Sequence, residues 1–115
     1  MLIAVVVLFS VAALFGLAMA IMHFSGKTPP PVGLAVLHGV FAASGLVLLL
    51  VSLWPDFNGR AIWALGFFVL AALGGFTLAL GFHARGKMLP SGLVAGHGLL
   101  AVLAFLILLT AAFKV

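Results

Sequence analysis

The sequence predicts an all-α membrane protein, an up-down-up-down bundle of four transmembrane helices made of two tandem helical-hairpin repeats. Three observations predict it: a composition that is 67% hydrophobic and 5% charged, four apolar runs of spanning length, and an internal repeat. One acidic and five basic residues in a chain of 115 cannot furnish the polar surface of a soluble fold. A cytosolic enzyme and a disordered tail are thereby excluded, and the lack of cysteine removes disulfide scaffolds and thiolate sites.

The elements follow in order. Apolar runs cover Met1 to His23, Gly33 to Trp54, Ala61 to Phe82 and Gly92 to Phe113. Each is about 20 residues or slightly more, enough to cross about 30 Å of hydrocarbon at about 1.5 Å per residue. The first run contains a small-residue pattern, Ala18-Met19-Ala20, but has no basic start and is too long for a leader, so it reads as a retained span. Between the runs lie short stretches rich in helix breakers: Gly26 to Val32, Pro55 to Arg60, and Ala84 to Ser91. Such short links force chain neighbours to run antiparallel. The whole chain, 1–115, is expected to be a single transmembrane domain, with repeat 1 over about 1–54 and repeat 2 over about 61–113.

The net charge of +4 does not point to nucleic acid, because the cations are scattered singly at the ends of apolar runs, where they anchor spans at the interface. Lys27, Arg85 and Lys87 fall on one side and Arg60 and Lys114, offset by Asp56, on the other. The bias puts the first and third links in the cytoplasm of a prokaryotic-type inner membrane, with Trp54 and Trp63 marking the opposite interface.

The repeat is written twice in the residues. His23-Phe24-Ser25-Gly26-Lys27, then Pro31, Gly33-Leu34 and His38-Gly39, reappears as His83-Ala84-Arg85-Gly86-Lys87, then Pro90, Gly92-Leu93 and His97-Gly98. Two spans per unit make the halves enter the membrane in the same sense, related by an axis along its normal. All four histidines then lie toward one face, His23 and His83 at the helix ends and His38 and His97 about 7 Å deeper. Much of the motif suits hairpin construction: Gly26 and Gly86 for left-handed caps, Lys27 and Lys87 beside the last carbonyls, Pro31 and Pro90 for the next helix start. The outer histidines have an equally ordinary reading as interfacial residues. The inner pair is enclosed, recurs at matched positions, and marks a functional site, since ionisable groups are costly in hydrocarbon.

Stripes of small residues run beneath these histidines: Ala42 and Gly45 on the second span, Ala101 and Ala104 on the fourth, Ala12, Gly16 and Ala20 on the first, Ala72, Gly75 and Ala79 on the third. Small stripes serve close helix packing or leave room for a flat prosthetic group. Neutral imidazole suits zinc, copper and iron, including haem iron. With the second and fourth helices on a diagonal, His38 and His97 are placed to take one metal centre from opposite sides. No CxxCH is present, so covalent haem attachment is excluded. Lys27, Lys87, Arg85, His23 and His83 would stand where haem propionates emerge.

On these residues the chain resembles the four-helix transmembrane b-type cytochromes with paired histidine ligands. The resemblance implies a non-covalent haem b held by His38 and His97, and, since every histidine lies toward one face, electron carriage within or at one face of the membrane. Two other readings stay open. One is a histidine-ligated zinc or copper protein, with Met19, Met22 and Met88 near the same face; against a methionine role, Met19 and Met22 align with Ala79 and Phe82. The other is a non-catalytic accessory subunit, using the small stripes against other membrane subunits or further copies of itself. No hydrolytic or phosphate-binding constellation exists, and the lone carboxylate, Asp56, sits in a link rather than in the membrane where proton-coupled cation export needs it. An electron carrier or accessory role is thus expected rather than an enzyme.

Overall fold

The computed structural model describes residues 1–26 and 29–115; Lys27, assigned above to the propionate side, lies outside them. Its elements are four long helices, α1 (Leu2–Phe24), α2 (Val32–Leu53), α3 (Gly59–Gly81) and α4 (Ser91–Ala112), with a single 3-10 turn at His83–Arg85. Each helix is long and apolar enough to cross a membrane. The molecule is a cylinder 42 Å long, close to the full thickness of a bilayer with its headgroups. Large apolar side chains such as Leu14, Trp54, Trp63, Phe76 and Leu99 point outward, and no polar or charged side chain is buried among the described residues, an arrangement suited to lipid.

The hairpin chemistry predicted for the loops is present. Gly26 and Gly86 take φ of 71° and 66° and return their N–H groups to the carbonyls of His23 and His83, both at 3.2 Å. Pro31 and Pro90 are the residues at which α2 and α4 begin, their carbonyls accepting the first helical bonds. We call this end, with the 24–32 and 82–90 links, the loop face, and the opposite end the terminus face.

Every helix packs on its chain neighbour and α1 also packs on α4, so α1 faces α3, and α2 faces α4, across the diagonals of a square. The repeat is visible in the packing. Residues 59 positions apart occupy equivalent places: Val5 and Ala64, Phe9 and Phe68, Ala12 and Ala71 on α1 and α3, Leu49 and Leu108 on α2 and α4, all buried. Phe9 and Phe68 meet on the pseudo-twofold axis as parallel rings with centroids 3.7 Å apart. Around and behind them, toward the termini, lies one apolar cluster that includes Val5, Leu49, Leu53, Ala61, Ala64, Ala104 and Leu108. On the loop side of the phenylalanines burial thins to Ala12, Ala71 and Leu78, with Pro30 at the rim.

This register corrects the expected alignment of Met19 with Ala79 and fixes the counterpart of Ala12. At the loop face the HxxGK motifs match at a spacing of 60, but within the helices the spacing is 59, so Ala71 rather than Ala72 is the counterpart of Ala12, and Leu78 rather than Ala79 that of Met19. The extra residue before His83 is absorbed where α3 stops at Gly81: Phe82 leaves helical geometry with φ −129°, and the chain tightens into the 3-10 turn.

Candidate functional site

The inner histidines project from α2 and α4 into the bundle, where their rings meet edge to face, centroids 5.9 Å apart and planes at 80°. Each is anchored on the other helix of its own hairpin. His38 Nδ1–H donates to the Ala12 carbonyl at 2.8 Å, and His97 Nδ1–H donates to the Ala71 carbonyl at 2.7 Å. A carbonyl can only accept, so both rings, when neutral, are the Nδ1–H tautomer and carry their free lone pair on Nε2.

The reach to those carbonyls depends on the residue one turn further along. A helical carbonyl is normally shielded by the side chain four positions on, and here that position is glycine in both halves, Gly16 and Gly75. A Cβ on Gly16 would lie 3.0 Å from His38 Cε1 and 3.1 Å from its Nδ1; one on Gly75 would lie 3.0 Å from His97 Cε1. Both glycines are therefore notches filled by imidazole. Gly45 likewise receives the Phe9 ring, at 3.1 Å from the Cβ it lacks. The small stripes thus accommodate rings of the protein itself, a role that the pattern of small residues alone does not distinguish from packing against a neighbouring helix.

The outer histidines do something different. His23 Nε2 is hydrogen-bonded to the Ser91 hydroxyl at 3.0 Å, and His83 Nε2–H donates to the Pro30 carbonyl at 2.8 Å. Each imidazole reaches from one hairpin to the loop or helix start of the other, so the pair cross-ties the two halves at the loop face. Arg85 and Lys87 stand exposed beside them. Met19 and Met22 are half-buried, and Met88 is fully outside at 85% exposure.

The four histidines accordingly form two pairs with separate partners rather than one cluster. Among the described residues no group of three or more His, Cys, Asp or Glu side chains comes together to hold a metal ion. The inner pair supplies two donors. The two rings stand with centroids 5.9 Å apart in edge-to-face contact, each with Nδ1 committed to a carbonyl and Nε2 left as the donor atom.

Ser91, Pro30, Phe9 and Phe68 belong to this region without having been singled out by sequence. For the phenylalanines a signal was available, their shared spacing of 59 with the inner histidines. No protein-family model, curated protein or solved structure matches this chain.

Proposed function

We propose that the chain is an integral membrane, b-type haem protein that carries electrons within or at one face of the bilayer, with His38 and His97 as the residues that would hold the haem iron. The observation that carries this reading is the inner pair itself: two imidazoles from diagonal helices, 5.9 Å apart, each held by a backbone carbonyl on Nδ1. The donor count favours haem over a bare ion. Structural zinc asks for four protein ligands, whereas haem iron would need only the two imidazoles that the inner pair offers. When bound, the group would supply a one-electron iron couple.

The chain's own residues have definite tasks in this account. The Ala12 and Ala71 carbonyls orient the imidazoles and raise the basicity of Nε2, as outer-shell acceptors do for metal-bound histidine. Gly16 and Gly75 keep α1 and α3 clear of the rings. The Phe9–Phe68 pair keeps the site's inner side dry, which bears on potential through the local dielectric. Arg85 and Lys87, exposed at the loop face, would supply cations for carboxylates there.

A second reading rests on the filled glycine notches. Imidazoles that already fit Gly16 and Gly75 serve equally as packing keys in a cofactor-free accessory subunit whose exposed helices meet other membrane subunits or further copies. An absorption spectrum of the full chain in mild detergent separates the two. The haem reading expects a Soret band and redox-sensitive visible bands that vanish in His38→Ala and in His97→Ala but persist in Met19→Ala. A colourless, metal-free preparation co-purifying with larger subunits favours the accessory role, and a colourless one with stoichiometric zinc or copper favours the bare-metal alternative.

A further inference from the structure

The environment of the inner pair is strongly unequal on its two sides. His38 lies six residues from the start of α2 and fifteen from its end, and His97 has the same position in α4. At about 1.5 Å per residue the rings originate about 9 Å below the loop end of their helices and about 22 Å from the terminus end. Among the described residues their Nε2 atoms have no hydrogen-bond partner, yet no side-chain nitrogen or oxygen there is both fully buried and unpartnered. Those atoms are therefore not fully enclosed by the protein.

Toward the termini no polar route exists. Directly beyond the pair stand Phe9 and Phe68, stacked and each 6% exposed, and then the apolar cluster in which Val5, Leu49, Ala64, Ala104 and Leu108 are fully buried. The hydroxyls of that half are spent on their own helices: Ser10 on Val6, Ser44 on Val40, Ser52 on Leu48, Thr110 on Ile107. A water there would find none of the two to four polar partners it needs, so the region stays dry. Toward the loops the polar groups among the described residues include His23, His83 and Ser91, with Ser25, Thr77, Arg85 and Lys87 exposed around them, and few side chains are fully buried.

We infer that water and small water-borne ligands reach the His38–His97 pair from the loop face alone, the Phe9–Phe68 stack and the core behind it acting as an insulating floor. The inference concerns access to the same pair that carries the haem reading, but it holds whether or not a cofactor is bound.

The natural absence of cysteine makes the test direct. Single-cysteine variants of the full chain are exposed, in sealed membrane vesicles of each orientation, to a charged, membrane-impermeant thiol reagent, which needs a hydrated thiolate. Arg85→Cys and Asn58→Cys report which face is presented. His38→Cys, His97→Cys and the half-buried Ala79→Cys are expected to react only from the side that labels Arg85→Cys, about tenfold or more faster than from the other. Ala64→Cys and Ala104→Cys, behind the floor, are expected to react from neither side. Labelling every variant after denaturation in detergent confirms that its thiol is intact, and Ala79→Cys keeps the test open if the histidine variants fail to assemble. Reaction of Ala64→Cys or Ala104→Cys from the side that labels Asn58→Cys overturns the inference. So does failure of all three loop-side positions to react from the loop face, which would mean a site sealed from water or opening to lipid. Haem content plays no part in the readout, so loss of the haem reading and loss of sided access are told apart.

Discussion

At the scale of single residues, the site depends on two side chains that are missing. Gly16 and Gly75 uncover the Ala12 and Ala71 carbonyls, and the imidazoles occupy the space. Gly16→Ala and Gly75→Ala are therefore expected to push the rings off their acceptors and to destabilise the protein by about 1–3 kcal/mol, the usual cost of overpacking. Gly39→Ala and Gly98→Ala, adjacent to the same histidines but with nothing within 4 Å of the added carbon, are expected to be neutral or mildly stabilising. Unfolding by detergent titration measures both sets. Sequence reading reached the histidines readily, because imidazole is conspicuous in hydrocarbon. It did not reach the purpose of the glycines, since a small residue on an apolar helix looks the same whether a helix, a ring or a cofactor lies against it.

At the scale of elements, the bundle is held by contacts across its diagonals as well as along its sides. The Phe9–Phe68 stack joins α1 to α3, and its deletion opens a cavity at the centre of the core. Phe68→Ala is expected to cost about 3 kcal/mol or more, whereas Phe76→Ala, 63% exposed on the same helix, is expected to change little; the same titration distinguishes them. The loop-face ties are weaker. Ser91→Ala removes the partner of His23 and is expected to cost about 0.5–1.5 kcal/mol, the net contribution of one hydrogen bond. Helix limits were legible to within about two residues because proline, glycine and the change of hydropathy all act locally. The pairing of α1 with α3 was not, because the HxxGK motif aligns at 60 while the buried faces align at 59, and only the break after Gly81 reveals where the extra residue goes.

At the scale of the molecule, two hairpins are joined through the short 54–58 segment, and their shared interface includes the stacked phenylalanines with the apolar cluster around them, the inner imidazoles and the crosswise outer ties. Helices that are each stable in lipid can associate after insertion. Residues 1–55 and 56–115, expressed together as separate chains, are thus expected to co-purify through a tag on one of them; His38→Ala with Phe68→Ala in the split protein should weaken that recovery. The four-helix all-α architecture was legible from the apolar runs, and so was the diagonal placement of His38 and His97, which follows from any square of four consecutively packed helices. What two such histidines hold is the central question. Titrating haem into the purified full chain in mild detergent addresses it most directly: saturation at one haem per chain, with a six-coordinate low-spin spectrum abolished by either His38→Ala or His97→Ala, is the predicted result. Binding that never saturates, or that both alanine variants retain, contradicts the account.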